Sequence, residues 1–433
     1  MRFTIKKTSC SGERIGLLSG FIKSPNTTIE TPTAALLTQG GSVAHLTADV
    51  LSKVFSNPQL LWMPLSSMAH LETGVKAQGQ GIAKFVALPE HVVCSTFHNM
   101  NEETPQGHFE SEKVPLWTRN GKKMITADRY MDMMEVFKPD IFLAIADGHT
   151  SLDEGHKRIV KSVSRTCNML DVCVKRYKES KELQNSSLIG VVVGAGLPSK
   201  CAECIQQIKK YKNTLSGVAL QGITDGTKES YKEPIEKIEN IFKRVGDAVP
   251  KDLVRIAEGC WNPAIIVAAI EHGWDVFGGS YPLELTNAGH ALVLNYDVNR
   301  YSGEACVLDL NDTSYRDDFT PVLTGCKCLT CRKHTRAYIQ HLLNTKEMLA
   351  SVLLSIHNIH HYDQLFYHAR QHIASNTFSV FKSHITKQYD VAKTPYMNGK
   401  HDSEMTDIEH LKKKVKISNE DIINGHNIMN GIA

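Results

Sequence analysis

Three cysteines within six residues carry the sharpest chemical signal in this 433-residue chain: Cys326, Cys328 and Cys331, in the run GCKCLTCRKHTRAYIQH. A turn can wrap such closely spaced thiolates around one soft ion, and zinc accepts them in a tetrahedron with sulfur at about 2.3 Å. Left without a metal, clustered thiols would be an oxidation liability. Spacing does not fix the fourth ligand, since His334, His341, His357, His360 and His361 all follow. His334 would complete a compact C-x-C-x-x-C-x-x-H. His357 is preferred, because in EMLASVLLSIHNIHHY it lies one turn beyond Leu353. There it borders an apolar stripe of Leu349, Val352, Leu353 and Ile356, where an imidazole needs a partner. Four protein ligands leave no open position, so the expected ion is a single structural Zn2+. The neighbouring cations Lys327, Arg332, Lys333 and Arg336 are candidate contacts for RNA phosphates, or else a solvated helix start.

Other chemistry would have to come from acids that close apolar runs: Asp147 after LAIA, Asp225 after GIT and Glu258 in RIAEGC. Each has a competing reading as a turn or rim residue. Asp275 precedes its run, faces the opposite end and is expected to be structural. No Ser-His-Asp order, HExxH or GxSxG occurs.

The elements that must carry these residues alternate. DIFLAIADG, LIGVVVGAGL, GVALQGITDG, LVRIAEGC and DVFGGS are continuous apolar runs, and amphipathic helical stretches separate them. That pattern predicts parallel strands buried on both faces by helices, and five such units suit a (β/α)8 TIM barrel. LLWMPLS (60–66) and FVALP (85–89) are expected to supply further strands. No GxGxxG or GxxxxGK[ST] loop appears, which counts against nucleotide-binding open sheets.

The predicted organisation is a barrel over 1–385, with a zinc-binding helical lobe at about 315–380, and a mobile polar tail over 386–433. Apolar residues make up 42% and charged residues 22%, with a net charge of +3, so a full-sized core is expected and neither sign of partner is excluded. The start lacks a signal-peptide apolar run, and the eleven cysteines form no disulfide framework, so a soluble, intracellular protein without a transmembrane segment is expected.

Taken together, these features resemble the tRNA-guanine transglycosylase family over roughly residues 10 to 375. The resemblance rests on TPTAALLTQGGSVAHLT, KPDIFLAIADG, LIGVVVGAG, GVALQGITDG and, above all, GCKCLTCRKHTRAYIQHLL with EMLASVLLSIHNIHHY. In that family the three cysteines and the histidine of the S-I-H-N segment bind zinc, which implies Cys326, Cys328, Cys331 and His357. Family enzymes exchange a tRNA guanine through a carboxylate nucleophile in a segment like D-x-F-D-C-x-x-P-T-R. The matching stretch here is DVFGGSYPLE, which puts Gly278 at the nucleophile, Gly279 at the following Cys and Leu283-Glu284 at Thr-Arg. A glycine has no side chain to attack a ribose. The D-S-G-G-F-Q loop has no counterpart, Val193 stands where a base-contacting Gln is expected, and the G-G-L turn reads Gln221-Gly222-Ile223.

The resemblance therefore implies a non-catalytic member that pairs with a catalytic queuine tRNA-ribosyltransferase paralogue as a heterodimer. It would help hold tRNA while queuine replaces guanine at the wobble position of tRNAs with GUN anticodons. It implies a cytoplasmic complex with peripheral association at the mitochondrial outer membrane. Two alternatives stay open: a self-sufficient base-exchange or zinc-assisted barrel enzyme using Asp147 or Glu258, and a lone RNA-binding module.

Overall fold

Eight short parallel strands form the centre of the molecule: β1 (Thr33–Gln39), β2 (Leu60–Pro64), β3 (Val92–Thr96), β4 (Ile141–Leu143), β5 (Ser187–Val192), β6 (Gly217–Leu220), β7 (Val254–Ala257) and β8 (Val276–Gly279). They pair in chain order, and β8 closes on β1 through Val276↔Thr33, Phe277↔Ala34, Gly278↔Ala35 and Gly279↔Leu36. The result is a (β/α)8 TIM barrel. The computed structural model describes residues 1–391 apart from 100, 101, 103, 106, 107, 224–234 and 301–305.

Both faces of these strands are covered, which is why β2, β3 and β5 are buried at every position and read as unbroken apolar runs. The covering helices include α1 (Ala127–Phe137), α2 (His156–Glu179), α3 (Pro198–Lys210), α4 (Ile235–Ala248), α5 (Pro263–Glu271) and α6 (Tyr281–Asn287). On α2 the buried residues Ile159, Ser162, Val163, Thr166, Met169, Leu170 and Cys173 recur at helical spacing and form one inward stripe. One expectation fails here. FVALP is not a strand: Phe85 ends a short helix, Ile82–Phe85, and Ala87 takes φ +60, which extended backbone cannot accommodate. The strand in that region is Val92–Thr96, where β-branched residues cluster.

After the barrel come α7 (Leu329–Lys333), α8 (Arg336–Asn344), the 27-residue α9 (Met348–Ala374) and α10 (Phe378–Val391). Ala291, Leu310, Val322, Ile339, Leu342, Ala350, Leu353 and Leu354 form a small second core under this lobe. Helix α10 packs on α5, which is buried from Pro263 to Ile270 and apolar all round. Lys382 of α10 bonds Glu239 at 2.7 Å and Glu271 at 2.6 Å, pinning the helix in place. At the lower end of the barrel, Arg14 makes two bonds to buried Asp275, which also accepts the Arg255 backbone N–H. That structural role is the one expected for Asp275. No helix among the described residues is long and apolar enough to cross a membrane.

Candidate metal centre and barrel mouth

Gly325, at φ +85, turns the chain so that Cys326 and Cys328 face one point. Cys328 then caps α7: its sulfur accepts the Cys331 N–H at 3.3 Å, and one helical turn brings Cys331 to the same side. His357 arrives from the middle of α9. Its Nδ1 lies 3.9, 3.6 and 3.3 Å from the sulfurs of Cys326, Cys328 and Cys331, and the four donor atoms all fall within 4.8 Å of one another. Tetrahedral donors around zinc, with sulfur at about 2.3 Å, sit about 3.8 Å apart. The four residues therefore could hold one metal ion, and their soft donor set is consistent with zinc.

The surroundings aim the imidazole. His357 is fully buried and its Nε2–H donates to the Leu292 carbonyl at 2.8 Å, which leaves the Nδ1 lone pair for a metal. The next residue grips the same strand end: Asn358 accepts the Leu292 N–H at 2.9 Å and donates to the His290 carbonyl and the Thr286 hydroxyl. Four donors this close cannot all keep ordinary protons. Bonds from Cys328 and Cys331 push the Cys326 thiol far down, while bonds with Cys326 and then Cys328 push Cys331 far up. A cation resolves that competition. The other candidate histidines lie elsewhere. His334 stacks on Tyr338, His341 is exposed at the end of α8, His360 is half-buried, and His361 bonds the Leu294 carbonyl at 3.0 Å. Burial, then His357, lowers His361 to about 3 and keeps it neutral.

Of the basic candidates, Lys327, Arg332 and Lys333 are exposed. Arg336 is half-buried and engaged: it bonds Asp318 at 3.0 Å and the Val322 carbonyl at 3.2 and 3.0 Å.

The carboxyl ends of the strands hold the acids, and side chains of the barrel itself occupy them. Asp147 is fully buried between Arg158 at 2.7 and 2.5 Å and Arg165 at 2.8 Å. These arginines are seven residues apart on α2, two turns along one face, a spacing the sequence displays. Glu258, just beyond β7, receives bonds from the Thr96 hydroxyl of β3 at 2.5 Å and from the Gln221 amide beyond β6. Sequence reasoning missed both partners, because nothing local links positions 96, 221 and 258. Asp225 lies outside the described residues.

At β8 the backbone itself is the contact surface. A Cβ on Gly278 would stand 2.4 Å from the Gly259 carbonyl oxygen, and one on Gly279 would stand 2.2 Å from that of Ala35. Neither position has room for any side chain.

Burial pushes the Glu258 carboxyl up to about 7, against the pull of its bonds from Thr96 and Gln221. Its ordinary value is 4.5, so the native state holds the extra proton between those limits. The associated stability is complete below pH 4.5 and is lost as pH rises through about 7. Glu258→Gln should therefore gain about 3 kcal/mol relative to the parent chain between pH 4.5 and 8. Urea unfolding of both proteins across that range checks it; parallel stability curves would show that Glu258 is charged throughout.

The sequence profile of queuine tRNA-ribosyltransferase matches residues 10–391. A protein of Aedes aegypti named queuine tRNA-ribosyltransferase accessory subunit 2 is 33% identical over 394 residues, covering 90% of this chain and 93% of its own length. Proteins of the same name from Gallus gallus and Pongo abelii are 30% and 28% identical, covering 89% and 90% of this chain and 97% and 100% of their own lengths.

Proposed function

The chain belongs to the queuine tRNA-ribosyltransferase family, and from that premise we propose that it is a non-catalytic accessory subunit of that enzyme. It pairs with a catalytic paralogue as a heterodimer and supports exchange of guanine for queuine at the wobble position of tRNAs with GUN anticodons. The observation that carries this reading is the β8 end. The position that resemblance assigns to the nucleophile is Gly278, pressed against the Gly259 carbonyl, in a barrel whose metal centre is otherwise fully built. An attack on ribose needs a side chain at that point, and the packing leaves none.

In the same reading Cys326, Cys328, Cys331 and His357 hold one structural zinc ion. When bound, the ion supplies no open position and ties the turn at 325–331 to the middle of α9. Lys327, Arg332, Lys333 and Arg336 are the proposed tRNA contacts. The complex works in the cytoplasm, with peripheral attachment to the mitochondrial outer membrane.

Mixing the purified chain with its catalytic paralogue and following guanine or queuine exchange into tRNA tests the proposal. Each chain alone is expected to be inactive or nearly so, with turnover in the mixture about 10²-fold or more above either. Exchange by this chain alone overturns the reading. One observation favours a second reading: Glu258 is buried at the mouth with its carboxyl raised to about 7, as in a tuned general acid. That reading requires turnover by the isolated chain and its loss in Glu258→Gln.

A further inference from the structure

Two clefts meet at the metal knuckle. The larger, of about 910 Å³, runs between the 293–296 segment, the turn at 323–327 and α9, with Arg300, Lys327 and the Asp318-paired Arg336 on its walls. The smaller, of about 90 Å³, lies between α7 and the helix Ala48–Val54, with Lys53, Lys327 and Arg332 around it. Lys327 lines both and not the cleft beyond them, so the two are taken together as one basic trench with Lys327 where they meet. No described carboxylate lines either part. The sign is a property of this trench and not of the whole surface: a neighbouring cleft of about 860 Å³ contains Glu30 and Asp363, and its Arg370 is paired with Glu30 at 3.4 Å.

The form of the ligand follows from how the cations are spread. Lys53, Lys327 and Arg332 line the smaller cleft and Lys327 and Arg300 the larger, so the cations run on from one cleft into the other and are not confined to a single small pocket. A string of spaced positive charges matches a phosphodiester backbone. The trench also lacks a stacking platform. The one tyrosine ring in it, Tyr296, already lies against His361 at 4.9 Å and His368 at 4.8 Å. Contact with bases is therefore not what the walls offer.

We propose that this trench, from Lys53 past Lys327 and Arg332 to Arg300, holds an RNA backbone by sequence-independent phosphate contacts. The identification of the polyanion as RNA rests on the accessory-subunit reading. The trench itself rests on the charge pattern. The assignment adds Lys53 and Arg300 to the proposed contacts, while Lys333 stands outside the trench, lining neither cleft.

The test is the salt dependence of binding to an unmodified tRNA, measured with the full chain alone at low salt and again with the catalytic subunit. Each lost phosphate contact should lower the slope of log K against log salt by about 0.9. Lys53→Ala is expected to lower it by about 1, on a helix that carries no metal ligand. Lys53→Ala with Lys327→Ala should lower it by about 2 and weaken binding at moderate salt about 10- to 100-fold. An unaltered slope in the double variant overturns the trench, and the accessory reading survives if the mixture still exchanges base. A lowered slope with no exchange in any mixture keeps the trench and sinks the accessory reading. Loss of binding to phosphatidylserine vesicles with tRNA binding intact assigns the trench to lipid and overturns the proposal.

Discussion

Cys328→Ser should empty the metal centre and lower the stability of the lobe by about 4 kcal/mol or more. The size follows from what the ion joins. The lobe's own core is a handful of residues around Leu310, Ile339 and Leu354, too small to hold a turn and three helices without a staple. Cys326, Cys328 and Cys331 all sit on the turn and on α7, and His357 is the only donor from α9. Without the ion, α7 and α9 keep the packing of Cys331 on the small core and the Thr330 hydroxyl bond to the Leu353 carbonyl at 2.7 Å. Serine is a clean choice, because its hydroxyl can still cap α7 where the Cys328 sulfur now accepts the Cys331 N–H. The loss then reports the metal and not the cap. Elemental analysis should find one zinc per parent chain and none in the variant. Hydrogen exchange should quicken at 322–357 and stay slow in β2, β3 and β5. A parent chain purified without metal, with the lobe equally protected, would refute the staple.

Gly278→Asp, which restores the acid that the family resemblance expects there, should destabilise the protein by about 3 kcal/mol or more and confer no exchange activity. The new Cβ would meet the Gly259 carbonyl oxygen at 2.4 Å, and this backbone, two residues beyond β7, cannot swing aside as a side-chain tip can. The carboxylate would also be fully buried facing a carbonyl, with no donor assigned to it. Gly278→Ala should show most of the steric cost without the charge. Gly155→Ala makes the control: a Cβ there meets nothing within 4 Å and φ is −59, so the change should stay within about 0.5 kcal/mol. Thermal unfolding of the three variants ranks them. A Gly278→Asp chain as stable as its parent would mean that β7 and β8 part more easily than their packing indicates.

How much of this was legible in the sequence differs from site to site. The barrel was readable because strands covered on both faces must be apolar throughout, and β5 to β8 announce themselves that way. Hydropathy misplaces β3, because FVALP is as apolar as a strand. Only the positive φ at Ala87 shows that the chain turns there, and hydropathy does not record φ. For the metal centre, three ligands lay in one short run, while the fourth was underdetermined among five histidines. The choice depends on which face of α9 meets the Leu292 carbonyl, a contact across 65 residues. The Thr96–Gln221–Glu258 network was invisible for the same reason: closing a barrel joins strand ends that are far apart in the chain.

The cover that α10 lays over α5 has a consequence for synthesis. A helix apolar from Pro263 to Ile270 leaves the ribosome more than a hundred residues ahead of the segment that shields it, and Lys382 must arrive before Glu239 and Glu271 gain their shared cation. The barrel can close once β8 meets β1, yet its outer wall stays greasy until α10 docks. Chains stopped short of residue 378 should be sticky on the side of α5, and would call on holding chaperones in a way the finished protein does not.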